Sequence, residues 1–95
     1  MKFGDILKSS ESEGKEKHVP VIKTKGKLVT VTVGSIPHPM EEQHFIVMIQ
    51  LLKEGKIISE ERLYPGQNAV ATFVVDDAKE LVARAYCNVH GLWTS

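Results

Sequence analysis

Alternating apolar and polar positions recur along most of the chain and predict short β-strands. The clearest run is KLVTVTV (27–33), where three valines alternate with two threonines. A period of two places every second side chain on the same face of a strand, and β-branched residues favour that conformation. AVATFVV (69–75) and ELVARAY (80–86) have the same character and are separated by a DDAK turn. These three segments are therefore predicted strands.

The middle of the chain is more continuously apolar and predicts a hairpin. HFIVMIQLL (44–52) fits a buried helix or a buried strand by periodicity alone, but its β-branched residues and the EGK turn that follows favour a strand. KIISEERL (56–63) would pair back across that turn, and YPGQN (64–68) has the order of a tight turn. The residues around Pro20 (19–22) suit a strand start or an edge strand.

Six or seven short strands with closely spaced turns predict an all-β fold, an antiparallel β-sandwich of the immunoglobulin-like kind. The single cysteine excludes the usual disulfide between the sheets. Residues 1–17 differ from the rest: Phe3, Ile6 and Leu7 suit one amphipathic turn, and SSESEGKEK (9–17) has the composition of a mobile loop. The predicted division is an N-terminal turn and loop over 1–17 and one sandwich domain over 18–95.

Composition narrows the class of protein. A chain of 95 residues suits one domain, and 12 basic residues balance 12 acidic ones. A nucleic-acid binder normally carries a basic surplus, so that class of partner is disfavoured. The N-terminus lacks the apolar core of a signal peptide, and no apolar run is long enough to cross a membrane. We therefore expect a cytoplasmic protein.

Candidate chemistry lies in the four histidines and the one cysteine. Each falls near the boundary of a predicted element, where side chains from distant parts of the chain can converge at one end of a sandwich. The ordinary alternative is strong, because a lone histidine is usually a hydrogen-bonded polar residue and a lone cysteine a small apolar one. The candidates are His18, His38, His44, His90 and Cys87.

The number of potential ligands bears on which metal such a site would hold. Structural zinc takes four ligands, so four imidazoles and a thiolate leave one surplus. Blue copper normally has a weak axial methionine beyond its last histidine, and none follows His90. Non-haem iron accepts imidazole and thiolate together, and five ligands leave its sixth position open. An immunoglobulin-like interaction module without metal stays an alternative.

Three separated motifs then carry a resemblance. EKHVPVI (16–22), HPMEEQHFI (38–46) and CNVHGLW (87–93) closely resemble the superoxide reductase family, which includes neelaredoxins and the catalytic domain of desulfoferrodoxin. The resemblance implies a seven-stranded immunoglobulin-like sandwich with one iron per chain, held by four equatorial imidazoles and an axial thiolate. It assigns these roles to His18, His38, His44 and His90, and to Cys87. It also implies that His90 binds through Nδ1 and the others through Nε2.

The same resemblance also implies the reaction, two further site residues, the electron donor and the assembly. Superoxide would be reduced to hydrogen peroxide with one external electron and two protons. Glu16 would bind the oxidised iron in the open position, from a loop flexible enough to swing, and Lys17 would assist superoxide. The implied electron donor is rubredoxin or a similar small redox protein, and the implied assembly is a homo-oligomer, either a dimer or a tetramer. The family's N-terminal cysteine-rich domain is not recognisable, so we expect no second iron centre. A non-enzymatic iron electron-transfer protein or a structural metal-binding sandwich is the alternative.

Overall fold

Seven β-strands and one helical turn make up the part of the chain that the computed structural model describes, residues 14–95. In chain order they are α1 (Lys15–His18), β1 (Pro20–Lys25), β2 (Leu28–Val33), β3 (Ile46–Lys53), β4 (Lys56–Arg62), β5 (Val70–Val74), β6 (Leu81–Cys87) and β7 (Gly91–Thr94). The strands form a three-stranded sheet in the order β1-β2-β5 and a four-stranded sheet in the order β4-β3-β6-β7. Every pairing is antiparallel. The predicted immunoglobulin-like sandwich is confirmed.

The core lies between the inward faces of the two sheets. In the three-stranded sheet the alternating valines of β2 are fully buried, and Val31 pairs with Ala71 of β5. In the four-stranded sheet Ile49 lies opposite Ala85 of β6 and is also fully buried. In both of these pairs a large side chain lies beside a small one on the neighbouring strand. Burying one such aliphatic side chain stabilises the fold by about 1.5–3 kcal/mol.

Strand β7 (Gly91–Thr94) was not among the named predicted strands. Its four residues begin with a glycine at φ +87° and follow directly on a three-residue turn, so they carry too short a pattern to separate from that turn. The strand forms because it pairs with β6, Trp93 opposite Ala85. Pairing with β6 therefore stabilises a strand that the local sequence does not indicate.

Two histidines lie just before the strands nearest to them, and for His44 this differs from the predicted strand over 44–52. His18 ends the helical turn α1, and β1 begins at Pro20. His44 precedes β3 in an isolated bridge, where it exchanges backbone hydrogen bonds of 3.0 and 3.1 Å with Glu41. Both histidines therefore lie on short anchored segments just outside the strands.

The predicted division at residue 17 falls at the edge of the described chain. The amphipathic turn with Phe3, Ile6 and Leu7 and most of the predicted loop lie outside the described residues. Lys15 to Lys17, predicted as loop, belong to the helical turn α1. Among residues 14–95, no helix has the length and apolar character needed to cross a membrane.

Candidate metal centre

Four of the predicted residues converge at one end of the sandwich. Potential ligand atoms of His18, His38, His44 and Cys87 all lie within 4.8 Å of one another. They come from α1, the loop after β2, the bridge before β3 and the end of β6. The turn α1, two positions of the connection between β2 and β3, and the end of β6 thus supply a compact group of metal-binding atoms.

The four imidazoles form a nearly square arrangement. Going round in the order His18, His38, His44 and His90, adjacent ring centroids are 4.7 to 5.0 Å apart, and adjacent planes are inclined by 68° to 81°. The diagonal from His18 to His44 is 6.4 Å. His90 is thus the fourth corner, although its side chain is exposed and it stands outside the tight group of four ligand atoms. Four rings around a square suit the equatorial plane of one metal ion, whereas structural zinc prefers a tetrahedron.

Backbone carbonyls set the orientation of two of the rings. Nδ1 of His18 lies 2.8 Å from the carbonyl oxygen of Gly14, and Nδ1 of His38 lies 2.7 Å from that of Pro39. A carbonyl oxygen can only accept, so in each neutral ring Nδ1 carries the proton and Nε2 carries the lone pair. Such bonds commonly fix the tautomer and orientation of a metal-binding histidine.

The cluster also contains buried nitrogen atoms whose hydrogen-bonding needs are unmet. Nε2 of His38 and Nε2 of His44 are buried, and neither has a hydrogen-bond partner in the described chain. An unsatisfied buried polar atom costs about 1–3 kcal/mol. A metal ion bound to these lone pairs would remove that cost, so the residues present fit a metal.

Burial keeps His38 neutral. Loss of solvent lowers the pKa of His38 to about 4 despite the opposing effect of the Pro39 carbonyl, and the charges of the neighbouring histidines lower it further. At neutral pH the ring is therefore unprotonated. An unprotonated imidazole is the form that binds metal.

Cys87 lies at the end of β6 and is completely buried. The backbone N–H of His90 donates a hydrogen bond of 3.4 Å to its Sγ. That bond closes the turn 88–90, after which Gly91 starts β7 with φ +87°. A donor to sulfur stabilises the thiolate form and modifies how strongly it donates charge to a metal.

Trp93 supports the cluster from the side. Its ring stacks on that of His18 with centroids 4.6 Å apart and planes inclined by 18°. Its indole N–H donates to the carbonyl oxygen of His90 over 3.2 Å, and the side chain is 1% exposed. The tryptophan thus contacts two corners of the square.

Asn88 is a site residue that sequence reasoning missed. Its side chain accepts from the backbone N–H of Phe45 over 2.9 Å and donates to the carbonyl oxygen of Gln43 over 3.1 Å. Its own backbone N–H donates to Phe45 over 3.2 Å. These bonds tie the cysteine turn to both neighbours of His44. Asn88 directly follows Cys87, but no local pattern indicates that its side chain bridges 43 to 45 positions of sequence.

Glu16 and Lys17 lie on α1 with exposed side chains, next to His18. The structure does not bring Glu16 into the group of clustered ligand atoms. Glu16 instead lines a surface groove together with Lys15, Val19, Val21 and Ser35. The main chain of Glu16 is anchored, because its carbonyl oxygen accepts from the N–H of Ile36 over 2.9 Å.

Comparison with known proteins gives a consistent picture. The family model described as Desulfoferrodoxin matches residues 10–95. A desulfoferrodoxin homolog from Archaeoglobus fulgidus is 52% identical over 83 residues, which cover 87% of this chain and 65% of that protein. The chain thus spans just under two thirds of that relative's length. A superoxide reductase from Thermococcus kodakarensis is 38% identical over 108 residues, covering 96% of this chain and 93% of the relative.

Solved structures extend the likeness to the fold. A one-iron superoxide reductase from Giardia intestinalis superposes with a TM-score of 0.74 at 39% identity, covering 85% of this chain and 96% of that one. A neelaredoxin from Ignicoccus hospitalis gives a TM-score of 0.77 at 31% identity, covering 100% of this chain and 94% of that one. The family match spans nearly the whole chain and includes every residue of the cluster. This chain therefore belongs to the desulfoferrodoxin family.

Proposed function

We propose that this chain is a superoxide reductase, in which the four imidazoles and the Cys87 thiolate would hold one non-haem iron. The observation that carries the proposal is the square of histidine rings with a buried cysteine among their ligand atoms. The resemblance of the three motifs and the names of the relatives support the same assignment. The five ligands are His18, His38, His44, His90 and Cys87.

The geometry favours this function over a structural zinc site. Zinc in structural sites takes four tetrahedral ligands, whereas a square of imidazoles with a thiolate beside it provides five. A closed site would also serve an electron carrier, but five ligands leave an octahedral metal one open position. When bound, iron supplies the electron for superoxide and the open position at which a small oxygen species reacts.

The residues of the chain prepare and complete this chemistry. The Cys87 thiolate would donate charge to a bound metal, and the N–H of His90, which donates a hydrogen bond to Sγ, would moderate that donation. The balanced reaction is superoxide plus one electron plus two protons giving hydrogen peroxide. The O–O bond stays intact, an external donor supplies the electron, and solvent supplies the two protons.

Lys17 and Glu16 act from the exposed side of the cluster in this proposal. The chain has no net charge, so the field near the site is set by local groups such as the Lys17 ammonium. A cation beside the open position attracts the superoxide anion and raises its association rate. The Glu16 carboxylate would serve as a reversible ligand to the oxidised iron.

The proposal also includes the electron donor, the cellular compartment and the oligomeric state. The donor is rubredoxin or a similar small redox protein, and the exposed side chains of Val89 and Ile36 near the cluster provide an apolar contact for it. The protein acts in the cytoplasm as a dimer or tetramer. Exposed Leu28, Val70 and Val74 on the three-stranded sheet offer a surface for such self-association.

Three measurements on one preparation test the function. Metal analysis should find one iron per chain, the oxidised protein should be blue from sulfur-to-iron charge transfer, and mixing with superoxide should consume it rapidly with formation of peroxide. Iron and colour without the superoxide reaction would indicate an electron carrier. A colourless protein that holds zinc or no metal would contradict the proposal outright.

A further inference from the structure

The turn that follows β2 packs directly against the main chain of Glu16 and Lys17. Gly34 begins this turn with φ +85° and is buried. A Cβ placed on Gly34 would lie 2.7 Å from the carbonyl carbon of Lys17 and 2.8 Å from the carbonyl oxygen of Glu16. These are backbone atoms, so they cannot rotate aside as the end of a side chain would. Glycine is therefore required by the left-handed conformation and, separately, by the close approach.

Three consecutive residues of the same turn donate hydrogen bonds to the segment around His18. The N–H of Ile36 donates to the carbonyl oxygen of Glu16 over 2.9 Å, and the hydroxyl of Ser35 donates to the same oxygen over 3.3 Å. The N–H of Gly34 donates to the carbonyl oxygen of Val19 over 3.1 Å. The main chain on both sides of His18 is thus fixed to the end of β2.

The turn after β2 connects the segment of Glu16 and Lys17 to the histidine square. The turn runs on through Pro37 to His38, so it joins one corner of the histidine square to the segment that carries Glu16 and Lys17. The side chains of that pair are exposed while their main chain is held. The hydrogen bonds hold the backbone on both sides of His18 to the end of β2, and the swing of Glu16 that the resemblance implies stays a prediction.

We propose that Gly34 is a positioning residue, which lets the turn after β2 hold the main chain of Glu16 and Lys17 and thereby positions the Glu16 carboxylate for the oxidised metal. This inference rests on the proposed function. It assigns Gly34 no contact with substrate or metal. Its effect is transmitted through the Glu16 carbonyl and the bond from Ile36.

The test compares Gly34→Ala with Gly55→Ala. Gly55 has φ +77°, and a Cβ added there has no heavy atom within 4 Å. Both variants therefore carry an alanine in the left-handed region, but only Gly34→Ala presses on the backbone of residues 16 and 17. Two readouts apply to the iron-loaded protein: hydrogen exchange of the Ile36 amide, and the absorption spectrum of the oxidised state, with Glu16→Ala as the spectral reference.

Gly34→Ala should speed exchange of the Ile36 amide at least tenfold and shift the oxidised spectrum toward that of Glu16→Ala. The sulfur-to-iron band should remain, because Cys87 lies on a different turn, and Gly55→Ala should match wild type in both readouts. Exchange and spectrum in Gly34→Ala equal to those of Gly55→Ala would overturn the inference.

A second variant keeps the inference testable if Gly34→Ala does not fold. Ser35→Ala removes one bond to the Glu16 carbonyl without any steric conflict, and Ser59→Ala on β4 is its control. A change in the oxidised spectrum confined to Ser35→Ala supports the positioning role, and identical spectra contradict it. If wild type fails to bind iron or to react with superoxide, the proposed function fails, while the exchange comparison still decides whether the turn anchors residue 16.

Discussion

Trp93 lies flat against His18, with ring centroids 4.6 Å apart and planes inclined by 18°. It is the only tryptophan of the chain and is almost wholly buried. Its indole N–H also reaches the carbonyl oxygen of His90. One side chain on the last strand therefore braces two adjacent corners of the histidine square.

Trp93→Ala should destabilise the protein and loosen the site together. Loss of a buried aromatic side chain costs about 3–5 kcal/mol, and the stacking partner of His18 disappears with it. Trp93→Phe keeps an aromatic ring but removes the N–H bond, which is worth about 1 kcal/mol. Denaturant unfolding of the metal-loaded protein should rank the variants as wild type, Phe, Ala. Equal midpoints for wild type and Trp93→Ala would contradict the bracing role.

Asn88→Ala should weaken metal retention more than it weakens the fold. The substitution removes both side-chain bonds to the segment that holds His44, which costs about 1–3 kcal/mol. The rate at which a chelator removes iron measures the effect and should rise about tenfold. Gln67→Ala is the control, because the Gln67 amide accepts a similar bond from the N–H of Tyr64 in a surface turn. Equal chelation rates in the two variants would show that Asn88 does not hold the site together.

Lys17→Ala should slow the fast step with superoxide about tenfold at low salt, and the difference should shrink as salt rises. Screening acts on the attraction between an exposed ammonium and the anion, so the slope against ionic strength is the informative quantity. Lys23→Ala, on β1 and equally exposed, is the control for a general loss of charge. If Lys17→Ala keeps the wild-type rate and salt slope, Lys17 does not steer the substrate.

The pH dependence of stability should include a contribution from Asp77, far from the metal cluster. A hydrogen bond from Lys53, at 2.9 Å, lowers the pKa of this carboxyl below its ordinary 3.8, with help from the N–H of Lys79. A lowered pKa in the folded state contributes stability above the unfolded value, and that contribution is lost as the pH falls through the folded value. Asp77→Asn should therefore reduce stability at neutral pH and flatten its decline below about pH 4.

The visible spectrum of the metal site is the control measurement for this prediction. Asp77→Asn should leave the visible spectrum of the oxidised protein unchanged, because Asp77 bonds only to Lys53 and Lys79 among the contacts described for residues 14–95. An unfolding profile against pH identical to wild type would show that this ion pair contributes nothing, as many exposed pairs do.

The fold was largely predictable because its strands carry strong local patterns. The alternation in β2 and the apolar run of β3 each predicted a strand, and both strands form the core. Strand β7 was not predicted, because GLWT is short, begins with glycine and becomes a strand only by pairing with β6. The helical turn at Lys15–His18 was not predicted for a similar reason. Its polar residues show no periodicity, and the contacts that hold it come from the distant turn at Gly34.

The candidate site was predictable in composition but not in geometry. The sequence offers one cysteine and four histidines at element boundaries, and the resemblance assigns them roles. Their square arrangement depends on how four separate segments meet at one end of the sandwich, which no local pattern encodes. The Asn88 bridge depends on the same meeting, so it became visible only in the structure.

The oxidised absorption spectrum of wild type beside Cys87→Ser tests the central assignment most directly. Serine keeps the size of the side chain but replaces the thiolate, and the histidine square can still hold iron. The account predicts a blue sulfur-to-iron band in wild type that is absent in the iron-loaded variant, together with loss of the fast superoxide reaction. A band that survives in Cys87→Ser would contradict the assignment of Cys87 as the axial ligand.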